Sequence, residues 1–126
     1  METTPQKIQE RSFEFALRIV RLHEDLSAQR GAARVITRQL LRSGTSIGAN
    51  LEEASAAQSK PDFISKCSIA SKEARETRYW LRLLTGCKSI SAETISPLIA
   101  EAGQIVAVIT TIVKNAQSNS TFNIQH

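Results

Sequence analysis

Residues 42–84 read RSGTSIGANLEEASAAQSKPDFISKCSIASKEARETRYWLRLL, and the second half of this stretch decides the fold. Phe63, Cys67, Ala70, Ala74, Thr77, Leu81 and Leu84 alternate steps of four and three, the spacing that draws one apolar stripe along an α-helix and lets a neighbouring helix pack into it. Trp80 lies beside that stripe as an amphipathic anchor. Ser59, Lys60 and Pro61 interrupt the chain just before it. Proline suits a first helical turn, where its missing N–H is not needed, and Asp62 is favourable at the positive end of a helix. The first half of the stretch has helical period as well, but it carries Gly44 and Gly48. Each interior glycine should cost ~1 kcal/mol relative to alanine, a penalty that a close helix-to-helix approach would offset.

Working outward, the chain upstream extends this second helix from about Ala32 to Gln58, with Ile36, Leu40, Ile47, Leu51 and Ala54 on its core side. At ~1.5 Å per residue it would reach ~39 Å. Ser43, Ser46, Asn50 and Glu53 make a polar seam beside the glycines, and Ser65, Ser68 and Lys72 make a similar edge on the third helix, a candidate partner for it. The first helix is expected from about Ser12, a candidate N-cap, to Ala28. It has two apolar faces: Phe13, Ala16, Leu17 and Val20 on one side, and Phe15, Ile19, Leu22 and Leu26 almost opposite. A bundle helix needs one such face, so the second, spaced like a coiled-coil seam, is expected to meet another subunit. Gly86 closes the third helix, a loop runs to Ser96, and Pro97 opens the fourth, whose core seam is Leu98, Ala102, Ile105, Ile109 and Ile112. Short connections make consecutive helices antiparallel. The expected fold is therefore all-α, an up-down-up-down four-helix bundle over residues 12–116, with a flexible segment at 1–11 and a disordered tail at 117–126.

The 126 residues fit one domain with a single core. No uninterrupted apolar run approaches the ~20 residues needed to cross a bilayer, and METTPQKIQERS lacks the basic-then-apolar order of a secretory signal, so no membrane role is expected and the cytoplasm is the expected compartment. Cys67 falls on the apolar stripe and Cys87 follows Gly86, which reads as one buried thiol and one loop thiol. Sixteen Lys and Arg against twelve Asp and Glu leave a formal charge of +4, compatible with a polyanionic partner but not requiring one.

Signatures of catalysis are missing. There is no phosphate-cradling glycine loop and no zinc-spaced set, and the two histidines are His23, in the arginine-rich first helix, and the terminal His126. Glu52 with Glu53 and Glu73 with Glu76 have helical spacings that a divalent ion would tolerate, but Lys72, Arg75 and Arg78 are interleaved with the latter pair and favour ion pairing. No enzyme activity, metal or cofactor is expected. The arginines point elsewhere. Arg30, Arg34, Arg38 and Arg42 recur every fourth residue, and Arg75, Arg78 and Arg82 share a stripe on the third helix. Like charges at that spacing repel, so the stripes suggest an external anion; the alternative is a solvated face paired with Glu52, Glu76 or a neighbouring subunit. Guanidinium matches phosphate, and counterion release rewards the contact. With aromatics at 5% of the chain, and Phe13, Phe15, Phe63 and Trp80 expected in packing, nucleic acid would be gripped by backbone rather than by base stacking.

Ser46, Ile47, Asn50 and Glu53, then Asp62, Phe63 and Ile64, then Lys72 to Glu76, resemble the diagnostic core of the bacterial four-helix-bundle proteins encoded in intervening sequences of 23S ribosomal RNA genes. The likeness covers about Phe13 to Ala116. It implies a ring-shaped homopentamer, and the related accessory proteins of diversity-generating retroelements imply contact with nucleic acid and a reverse transcriptase. The expected function is a non-enzymatic homo-oligomer that binds RNA or DNA backbone through Arg34, Arg38, Arg42, Arg75, Arg78 and Arg82, with Phe15, Ile19, Leu22, Leu26, Gly44 and Gly48 at the subunit interface. The alternative is a scaffold that docks a protein partner without touching nucleic acid.

Overall fold

The computed structural model describes residues 4–88 and 90–119. Four helices follow one another: α1 (Pro5–Asp25), α2 (Ala32–Ser55), α3 (Lys60–Thr85) and α4 (Ala92–Ser118). α1 packs on α2, α2 on α3 and α3 on α4, while α1 meets α4 along a shorter contact.

The start of α1 corrects the expectation of a flexible segment for residues 4–11 and of Ser12 as a cap; residues 1–3 lie outside the described residues. Thr4 is the N-cap, its Oγ1 accepting from the Lys7 N–H at 3.3 Å, and Pro5 occupies the first turn. Ile8 is buried, one helical heptad before Phe15. Ser12 is a fully buried mid-helix residue whose backbone faces Gly48.

Gly31 precedes α2 with a φ of 64°, in the left-handed region that glycine enters without a Cβ clash. α2 stops at Ser55, one turn short of the expected Gln58. Ser59 caps α3, accepting from the Asp62 N–H at 3.2 Å, and Pro61 lies in the first turn. α4 starts at Ala92 and runs through Pro97. The proline leaves the Glu93 carbonyl without its helical donor, but both residues are exposed, so solvent can satisfy it. Gln117 and Ser118, expected in the tail, end α4; residues 120–126, including His126, lie outside the described residues.

The stripe from Phe63 to Leu84 is buried throughout, as is the α4 seam from Leu98 to Ile112. The largest departure concerns α1. Phe15, Ile19 and Leu22, expected between subunits, are 1%, 0% and 4% exposed and sit in the protomer's own core. Leu26 is half-buried against that core. The heptad-like seam meets helices of the same chain, and the face left open is the other one, where Phe13 is 58% exposed. Gly44 likewise faces Ile19 of the same chain: a Cβ there would lie 2.9 Å from Ile19 Cγ2.

α4 is long and apolar enough to cross a membrane by length and composition, although polar residues interrupt its apolar run. Its buried residues, among them Ile95, Ile105, Val108 and Ile109, form the face that packs inside the bundle, as expected of a core helix.

Candidate nucleic-acid interface

The polar residues of the α2 seam turn to local work. Ser46 Oγ donates to the Arg42 carbonyl at 2.6 Å and Asn50 Nδ2 to the Ser46 carbonyl at 2.8 Å. Both close on their own helix and neither reaches Ser65, Ser68 or Lys72, which are exposed. The polar link between α2 and α3 is instead buried: Thr77 and Ser43 hydroxyls lie 2.9 Å apart, with the Glu73 and Leu40 carbonyls as further acceptors at 2.8 and 3.4 Å. Glu53 is exposed, Asp62 belongs to the capped first turn of α3, and Phe63 is core.

Arg42 is the centre of a charged cluster on that same α2–α3 flank. Its Nη2 donates to Glu76 Oε2, its Nη1 lies 3.4 Å from both Glu73 carboxylate oxygens, and Trp80 Nε1 donates to Glu76 at 2.9 Å. The hydrogen bond from Trp80, with the Arg42 contact and the field of Lys72, holds the Glu76 carboxyl below its usual range against the opposing effect of partial burial. The Glu76 hydrogen bond correspondingly raises the Arg42 guanidinium. Arg42 is therefore engaged in holding two helices together. Glu73 and Glu76, expected to pair within α3, pair across to α2.

The other predicted arginines are exposed: Arg34 and Arg38 on α2, and Arg75, Arg78 and Arg82 on α3. None of these five side chains forms an ion pair among the described residues. They do not converge. At 100° per residue, Arg75, Arg78 and Arg82 fall on the flank of α3 opposite Glu73 and Glu76, and Arg78 Nε lies 3.9 Å from where a Cβ on Gly103 of α4 would stand. The structure thus divides the six arginines into an α2 pair, an α3–α4 edge of three, and Arg42, which is tied up. Tyr79, absent from the residues expected to matter, stands 51% exposed between Arg75 and Arg82 on the outer side of α3; its position midway along an arginine stripe is the signal in the sequence. Phe13 is the second exposed aromatic, against the expectation that it is packed.

Along the α3–α4 edge runs an open groove of about 320 Å³, lined by Ser68, Ser71, Lys72, Arg75, Thr110 and Lys114 with Ile109 and Val113 among its apolar walls. On the far side of the molecule, Gln6, Gln9, Glu10, Glu14 and Glu52 surround Phe13. The cavity inside the bundle, against Phe63 and Cys67, has a volume of only about 10 Å³ and holds at most one water. Among the described residues, no three His, Cys, Asp or Glu side chains gather as a metal ion would require.

The family model for the 23S rRNA-intervening sequence protein matches residues 5–111. The chain belongs to that family. Among solved structures, it is similar to a protein of unknown function from the S23 ribosomal protein family of Bacteroides thetaiotaomicron, at 44% identity over 85% of this chain and 98% of that one, with a TM-score of 0.79. A search of curated proteins found no match. Within the family-matched span, the contacts of the motif residues Ser46, Asn50, Glu73 and Glu76 are with the α2–α3 pairing or the local helix.

Proposed function

We propose that this member of the 23S rRNA-intervening sequence protein family is a non-enzymatic, homo-oligomeric bundle that binds the backbone of RNA or DNA. The observation that carries it is the set of five exposed arginines, Arg34, Arg38, Arg75, Arg78 and Arg82, without a carboxylate partner among the described residues. Unanswered like charges on a folded surface are stabilised by a polyanion, and guanidinium grips phosphate in two-pronged fashion. The pairing of Ser12 with Gly48 and Ile19 with Gly44, one series rising as the other falls, supports antiparallel neighbours. A ring of five such bundles, as in the resembled proteins, would multiply the basic edges.

Titrating fluorescent RNA and DNA at several salt concentrations tests the reading. The logarithm of the binding constant should fall with log salt at a slope of about 0.7 per phosphate contacted on single strands and about 0.9 on duplex DNA. An intact protein that binds neither at low salt removes the proposal. A second reading, docking of a protein partner, draws on the outward Ile69, Tyr79 and Leu83 of α3, which are 39%, 51% and 40% exposed; it predicts weak nucleic-acid binding that arginine substitutions barely change.

A further inference from the structure

Resting on the nucleic-acid reading, we propose that the α3–α4 groove is where the phosphates sit, and that the hydroxyls of Ser68 and Ser71, together with Arg75 and Lys114, hold them there. Among the described residues no carboxylate lines the groove, because Glu73 and Glu76 are drawn to Arg42 on the other flank of α3 and Glu101 of α4 is bound by Arg11 of α1 at 2.6 and 2.8 Å. Lys72 also lines the groove, and of its three cations it is the one that also acts on Glu76 on the other flank.

The serines add a second, independent observation. A serine inside a helix commonly bonds back to the carbonyl one turn earlier, as Ser46, Thr110 and Thr111 do here at 2.6, 2.8 and 3.1 Å. Ser68 and Ser71 make no such bond, or any other, among the described residues, and both face the groove. Two uncommitted O–H donors beside two cations form a surface suited to an anionic oxygen, since hydroxyls add direct hydrogen bonds to what charge alone would attract. From Ser68 the edge continues along the same flank to Arg82, ~21 Å at the helical rise. Gly103 leaves room for Arg78 to lie against α4 along the way. A strand entering the groove can therefore remain in contact with cations along its length.

The test uses the full chain with fluorescent single-stranded RNA over a salt series, comparing Arg75→Gln with Lys114→Gln, Ser68→Ala with Ser71→Ala, and Arg34→Gln with Arg38→Gln, each as a double variant. Losing two phosphate contacts should lower the salt slope of the first by about 1.4. The serine variant keeps the charge, so its affinity should fall about 3- to 10-fold at every salt concentration with the slope unchanged. The α2 variant should weaken binding less than the first. Unchanged affinity in the groove variants overturns the proposal, as does a serine variant indistinguishable from wild type. If only the α2 variant loses binding, the groove is overturned while nucleic-acid binding stands. A wild-type protein that binds no RNA overturns both. Circular dichroism of each variant separates loss of fold, which would show as lost helicity, from loss of contact; for a variant that unfolds, Lys114→Gln alone, at an exposed position, makes the same decision through its slope.

Discussion

Gly44 and Gly48 stand one turn apart on α2 and meet different neighbours. A Cβ on Gly44 would fall 2.9, 3.0 and 3.3 Å from three carbons of Ile19, whereas one on Gly48 would have the Ser12 backbone at 3.7 Å, an ordinary contact. Ile19 is β-branched and fully buried, so it has little freedom to withdraw. Gly44→Ala should therefore lower stability by ~1 to 3 kcal/mol through overpacking. Gly48→Ala should be neutral or raise stability by up to ~1 kcal/mol, since alanine favours the helix and fits. Denaturant midpoints decide, and equal shifts in the two variants would refute the distinction. The two cysteines offer a parallel contrast. Burial pushes the Cys67 thiol up to about 11, while Cys87 is partly exposed. In the native protein near pH 8 a thiol reagent should modify Cys87 readily and Cys67 only on unfolding; rapid modification of both would mean that the core opens easily.

At the scale of the helices, α2 and α3 are joined by a buried hydroxyl pair and by the Arg42 cluster at the rim. Glu76 is held below its usual range in the folded chain, so the unfolded chain takes up its proton first as pH falls. Its contribution is complete above the ordinary glutamate value of ~4.3 and disappears as pH drops through the lower folded value. Glu76→Gln should therefore be less stable than wild type at pH 7, and the gap should close on acidification toward pH 3; urea midpoints that stay parallel between the two pH values would show that Glu76 contributes nothing. How legible such elements are depends on whether one signal or two is present. The α3 stripe was readable because seven residues repeat a single period with no competing pattern. α1 was not, because its two apolar faces are equally regular and period cannot tell which one turns inward. Ile8 in phase with Phe15 and Thr4-Pro5 as a capped start were the cues that resolve it, but one apolar residue among QKIQER gives too weak a pattern to outweigh polar surroundings. The arginines pose the opposite problem. Sequence places arginines on a helix face, but only the packed structure shows that Arg42 is claimed by Glu73 and Glu76 and that Arg75 shares a groove with Lys114.

For the whole molecule, the inward turn of Phe15, Ile19 and Leu22 changes how assembly must be tested. Burying an isoleucine or leucine side chain contributes ~1.5 to 3 kcal/mol, and an aspartate there would be an unpaired charge in the core. Ile19→Asp would thus unfold the protomer and would say nothing of subunits. Phe13 is the better probe. It is 58% exposed, and Leu17 and Val20 lie on the same side of α1, half-buried. Glu10, Glu14 and Glu52 line the same hollow as Phe13, and their charge would repel phosphate, so under the proposed reading this face is left to protein contact and the α3–α4 edge to nucleic acid. Under the proposed assembly, light scattering should give a mass several times the 13.9 kDa protomer. Phe13→Asp should reduce that mass while helicity is retained, because the substitution removes an apolar contact between subunits without touching the core. It should also lower the apparent affinity for long RNA more than for short, since linked sites raise effective concentration only when one strand can reach several of them. A protein that is monomeric at micromolar concentration, or a Phe13→Asp variant whose mass is unchanged, would refute assembly through this face.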